Sequence, residues 1–116
     1  MPIPVSIKLK KVSRVLSIIF DDDTEAELSC EYLRVYSPSA EVKGHGPGQS
    51  VLQTGKENIN ISSIEPIGNY AIKLIFDDGH NSGIYTWKYL FELFARKEKL
   101  WNEYINALAE KGYSRK

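Results

Sequence analysis

Phe76-Asp77-Asp78-Gly79-His80-Asn81-Ser82-Gly83-Ile84-Tyr85-Thr86-Trp87 sets a cluster of turn-forming residues between apolar flanks. Asp78-Gly79 is a hairpin-turn dipeptide, since glycine reaches positive φ without a Cβ clash. Ala71 to Phe76 before it reads as a strongly apolar strand, and Ile84 and Tyr85 belong to the return strand. The start of the pattern recurs upstream, where Leu16-Ser17-Ile18-Ile19-Phe20 runs into Asp21-Asp22-Asp23-Thr24. Tyr32-Leu33 likewise repeats Tyr89-Leu90 at nearly the same offset. The chain therefore reads as two related strand-turn-strand-helix units. The fold class is α+β: a β-rich single domain of antiparallel hairpins, closed by a C-terminal helix.

Outward from that stretch the periodicities agree. Val5, Ile7 and Leu9 alternate with Ser6, Lys8 and Lys10, as in a strand with one buried face. Val15 to Ser29 reads as a hairpin, and Cys30 to Tyr36 as one short turn of helix ended by Pro38. Ser37 to Lys56 holds Pro38, Gly44, Gly46, Pro47, Gly48 and Gly55, which predicts an ordered surface loop. Ile59, Ile61 and Ile64 lead into a further strand, and Gly68-Asn69 turns the chain. From Trp87 the period changes to helical: Leu90, Leu93 and Phe94 share one face, and Leu100, Trp101, Tyr104, Ile105 and Leu108 share another. Gly112 is the C-terminal stop.

The 116 residues, 42% of them hydrophobic, suit one domain with one core. Fifteen basic residues balance fifteen acidic ones, so no global field draws nucleic acid or an anionic membrane. The basic tail of Lys111, Arg115 and Lys116 is the only feature in favour of nucleic acid. The single Cys30 forms no internal disulfide, which fits a reducing compartment. No secretory leader is recognisable, and no run approaches the ~18 apolar residues of a membrane span. The expected location is cytoplasmic.

Asp77, Asp78 and His80, with His45 from the loop, are candidate ligands for a divalent ion. The plainer reading has the aspartates and glycine shaping the turn, since Asp side chains bond backbone amides two residues on. Gly44-His45-Gly46-Pro47-Gly48-Gln49 lacks the Gly-Lys-Ser/Thr ending of a phosphate cradle, and Glu57 follows Gly55-Lys56. Ser37 and Ser39 flank Pro38 without a nucleophile elbow. Cys30, at a strand-to-helix junction, reads as a small buried residue rather than an activated thiol. Arg34, Tyr36, Ser37, Ser39, His45, His80, Tyr85 and Trp87 together have the composition of a partner-binding surface, if the long loop folds over the hairpin.

Several of these segments carry a family resemblance. Tyr32-Leu33-Arg34-Val35-Tyr36-Ser37-Pro38-Ser39-Ala40-Glu41-Val42, Gly44-His45-Gly46, Pro66-Ile67-Gly68-Asn69-Tyr70-Ala71 and the Phe76 to Trp87 stretch resemble the small DUF971 domain. That domain is similar to the N-terminal domain of γ-butyrobetaine dioxygenase. The resemblance spans residues 4–93 and leaves 94–116 as a C-terminal helix and basic tail. It implies a site where relatives hold a structural zinc through a Cys-Pro-Cys-type segment and the histidine of Asp-Gly-His. Here Ser37-Pro38-Ser39 stands in place of the thiols, and only His80 matches. A serine hydroxyl is a weak zinc ligand beside a thiolate, so the resemblance implies a fold held by packing.

Nothing in the chain corresponds to the dioxygenase's catalytic iron domain. The same small domain also occurs fused to P-loop ATPases that carry iron-sulfur clusters. The expectation is thus a non-catalytic accessory module, with no cofactor, acting on an unidentified protein partner beside iron-sulfur or oxygenase systems. The alternative is an iron- or zinc-binding domain using His80, Asp78 and His45. Oligomeric state is not legible in the sequence.

Overall fold

The period-two segments become two three-stranded antiparallel sheets in the computed structural model, which describes residues 2–39, 53 and 55–112. The first sheet has the order β1 (Pro4–Lys10), β2 (Val15–Phe20), β3 (Glu25–Ser29) and runs into α1 (Cys30–Val35). The second has β4 (Ile61–Ile67), β5 (Ala71–Phe76), β6 (Ile84–Thr86) and runs into α2 (Trp87–Ala95). A last helix, α3 (Lys97–Glu110), follows after a break at Arg96, and Gly112 ends it at φ 73°. No described helix is long and apolar enough to cross a membrane.

The two units repeat in detail. Each first strand carries a register shift near its start, between Pro4 and Ser6 in one and between Ile61 and Ser63 in the other. Each central strand ends in the same turn. Phe20 N donates to Thr24 O and Asp23 N to Phe20 O, while Phe76 N donates to His80 O and Gly79 N to Phe76 O. The third turn residue is left-handed in both, Asp23 at φ 68° and Gly79 at φ 89°. Asp22 Oδ1 accepts Thr24 N, and Asp78 Oδ1 accepts His80 N, each at 3.0 Å. Asp21 pairs with the backbone of Ile3 as Asp77 pairs with that of Asn60. Each helix starts on a hydroxyl cap: Ser29 accepts Tyr32 N and Thr86 accepts Tyr89 N.

The two units are locked by reciprocal bonds. Tyr32 of α1 donates to Leu93 O at the end of α2, and Tyr89 of α2 donates to Tyr36 O at the end of α1, both at 2.6 Å. Tyr36 precedes Leu93 by the same interval that separates Tyr32 from Tyr89. Leu16, Ile18, Phe20 and Leu28 meet Ile72, Leu74, Phe76, Tyr85, Leu90 and Leu93 in one core. A fully buried side chain of this size contributes about 1.5–3 kcal/mol. Because both units contribute to this one core, an isolated three-stranded unit would leave its inner face wet. Tyr104 and Leu108 of α3 form a second, smaller cluster with Val35.

One sequence expectation is corrected. Val5 is 66% exposed, because the bulge between Pro4 and Ser6 interrupts the alternation before Ile7 and Leu9 turn inward. Ile84 faces outward while its neighbour Tyr85 is fully buried, so β6 contributes a single inward aromatic. Cys30 is buried, and burial pushes its thiol up, away from the reactive thiolate.

Candidate functional site

The polar candidates collect where the chain leaving α1 meets the β5–β6 turn. Ser37 Oγ and His80 Nε2 are hydrogen-bonded at 2.9 Å, and Ser39 N reaches back to Ser37 Oγ at 3.3 Å. Ser39 Oγ and Ser82 Oγ are 2.6 Å apart. Beneath them Tyr85 OH donates to Leu33 O at 2.6 Å. Burial pushes the Tyr85 phenol up, with the Ser37 hydroxyl pulling it only partly back. The backbone approaches closely here: a Cβ at Gly83 would collide with Ser37 Oγ, and would also press on Tyr85 and Pro38. Glycine at this position makes room for Ser37.

Beside this cluster lies an ionic one. Arg34 Nε donates to Asp78 Oδ2 at 3.0 Å, and Lys56 Nζ donates to the same oxygen at 2.8 Å. Burial works to raise the Asp78 carboxyl. Hydrogen bonds from Lys56, the His80 amide and Arg34, with the Arg34 charge, outweigh it and hold the carboxyl down to about 2. Arg34 Nη1 is buried with no hydrogen-bond partner among the described residues.

Of the residues expected on a partner surface, Arg34, Ser37, Ser39, His80 and Tyr85 are buried, while Tyr36 and Trp87 are half-buried. Tyr36 OH donates to Leu100 O and Trp87 Nε1 to Asn69 O, so both are partnered inside the domain. His45, with residues 40–52 of the expected loop, lies outside the described residues. What faces solvent is the turn itself, Asp77 to Gly79 with Asn81 and Ser82. Sequence reasoning missed Lys56, Ser82 and Gly83. Only Gly83 carried a local signal, as a glycine just ahead of a strand where backbones approach closely.

This donor set does not fit a structural zinc. Ser37 Oγ is fully buried and committed to His80 Nε2, and the described residues hold no group of three His, Cys, Asp or Glu able to take a metal. Asp78, the other ligand candidate, is already neutralised by two cations. Asp77 Oδ1 serves the Asn60 amide.

Fold and site together define a small α+β domain of two matching halves with, among the described residues, a polar cluster in one of them. The family described as gamma-butyrobetaine hydroxylase-like, N-terminal, matches residues 7–91, and the chain belongs to that family. Among solved structures, two NMR solution structures are 51% identical, with TM-scores of 0.85. Each covers 99% of this chain, which spans 90% and 86% of theirs, so the likeness includes α3. A crystal structure of a DUF971-family protein of unknown function from Acidithiobacillus ferrooxidans is 38% identical with a TM-score of 0.68, covering 79% of this chain and 92% of its own. No match was found among curated proteins.

Proposed function

We propose that the chain is a non-catalytic interaction module that uses the Asp78-Gly79 hairpin, with Lys56 beside it, to contact another protein. The observation behind this reading is that the groups able to do chemistry are spent on internal bonds. Ser37 and Tyr85 are fully buried, and Ser39 and His80 nearly so. The adjoining turn residues Asp77, Gly79, Asn81 and Ser82 lie at the surface. A nucleophile without access attacks nothing, whereas a rigid, exposed turn on a packed scaffold suits recognition. Membership of the gamma-butyrobetaine hydroxylase-like, N-terminal family favours an accessory role beside an oxygenase system; an iron-sulfur system and a cytoplasmic location belong to the same reading.

Affinity capture from native lysate with mass spectrometry, followed by amide chemical-shift mapping with the captured partner, tests the reading. Shifts at Lys56 and across Asp77 to Ser82 support it; shifts confined to α3 count against it. Elemental analysis of protein purified without a histidine tag tests its metal-free part. Stoichiometric zinc or iron that disappears in His80→Ala would overturn that part.

A further inference from the structure

The two turns form a controlled pair. Asp22 and Asp78 do the same backbone work, each accepting the amide two residues on. Asp22 does it fully exposed, so the turn's geometry requires no cation. Around Asp78, two cations converge on one oxygen, Oδ2. The Arg34 side chain is only 9% exposed, and its Nη1 is a buried donor without an acceptor among the described residues. Buried donors are almost always satisfied in native proteins, and an exception marks a place where an acceptor is due. Guanidinium presents a planar fork that a carboxylate can bridge with two parallel bonds, and Asp78 meets it through Nε alone.

We propose that Arg34 and Lys56 form a receptor for a carboxylate on an acidic segment of a partner protein, and that Asp78 holds the place in the unbound chain. The inference rests on the interaction-module reading and adds the partner's chemistry. The place-holder is itself a carboxylate, which sets the size and charge of the visiting group. Lys56, at 20% exposure, is the edge through which that group enters. A visiting carboxylate takes Lys56 Nζ and the free face of the guanidinium, and Asp78 turns toward solvent while the turn persists, as the Asp22 turn does without cations.

Fluorescence anisotropy with dye-labelled hexaglutamate, at fixed ionic strength, tests this. The wild type is expected to bind saturably, with Lys56→Gln binding about tenfold more weakly through loss of one charge-assisted contact. Asp78→Asn, which removes the competing charge, is expected to bind severalfold more tightly, with circular dichroism confirming its fold. If Asp78→Asn does not fold, Lys56→Gln decides alone. Equal binding by wild type and Lys56→Gln, equal binding of hexalysine, or displacement of hexaglutamate by equimolar inorganic phosphate overturns the proposal. A lysate partner that shifts the hairpin amides in wild type and Lys56→Gln alike overturns the carboxylate receptor while leaving the interaction module standing.

Discussion

The first and second halves share a backbone plan and differ in what fills one corner of it. Ala26 and Leu28 of β3 correspond to Gly83 and Tyr85 at and before β6, and Thr24 in the first turn corresponds to His80 in the second. In the first half these positions are a methyl, an aliphatic chain and an ordinary turn residue. In the second they make room for Ser37, donate a phenol to Leu33 O, and supply an imidazole to the Ser37 hydroxyl. Turn, cap and tyrosine latch are needed twice, once per half. The polar cluster is needed once, where the chain leaving α1 lies against β6. The repeated scaffold and the polar cluster therefore draw on different residues, with Tyr85 serving both core and cluster.

Exchanging residues between the halves should break that division. Tyr85→Leu copies Leu28 into the second half, leaving Leu33 O unsatisfied and a cavity behind; about 3 kcal/mol should be lost in urea unfolding. Gly83→Ala copies Ala26 and drives a methyl into Ser37 Oγ, at a cost of about 2 kcal/mol by overpacking. The methyl of Ala26 is accommodated in its own half, so a neutral Gly83→Ala would show that Ser37 is free to move. Tyr32→Phe and Tyr89→Phe each remove one of the reciprocal bonds, for about 1 kcal/mol apiece. Tyr32 is the more deeply buried, so its loss should cost more; additive losses in the double variant would mean that the two bonds act independently.

The smallest effects concern pH, and they separate the two turns. The folded Asp78 carboxyl at about 2 lies below its ordinary value of 3.8. Its contribution is complete above that ordinary value and fades as pH falls from about 4 toward about 2. Asp78→Asn should flatten this limb of a stability profile more than Asp22→Asn, whose carboxyl the Thr24 hydroxyl and amide also hold below its ordinary value, but at a fully exposed site with no cation on it. At the alkaline end burial pushes Tyr89 up to about 12 from 10.0, and Tyr32 and Tyr85 also rise through burial. Unfolded tyrosines release their protons first, so stability should fall as pH climbs above 10, with tyrosinate absorbance appearing together with loss of the native spectrum.

Much of the fold was legible because its causes are local. Alternation at Leu16 to Phe20 and Ala71 to Phe76, turn chemistry at Asp78-Gly79, and the change of period at Trp87 each act within a few residues. The repeat was visible at Phe20-Asp21-Asp22 and Phe76-Asp77-Asp78 because both turns use the same aspartates for the same amides. The site was legible only in part. Ser37, Ser39 and His80 stood out through the family resemblance, and the structure brings them together. Their burial was not readable, since it is set by contacts between residues 43 apart, Ser37 with His80 and Ser39 with Ser82.

The sequence by itself determined two apolar hairpin units, their acidic turns and a helical C-terminus, because propensity, periodicity and turn geometry are properties of neighbours along the chain. Tertiary structure alone decided that Val5 faces water, that Gly83 yields space to Ser37, and that Arg34 and Lys56 share one oxygen of Asp78. Each of those depends on register or on contacts between residues far apart in the chain, where burial and charge are set by what the fold places alongside.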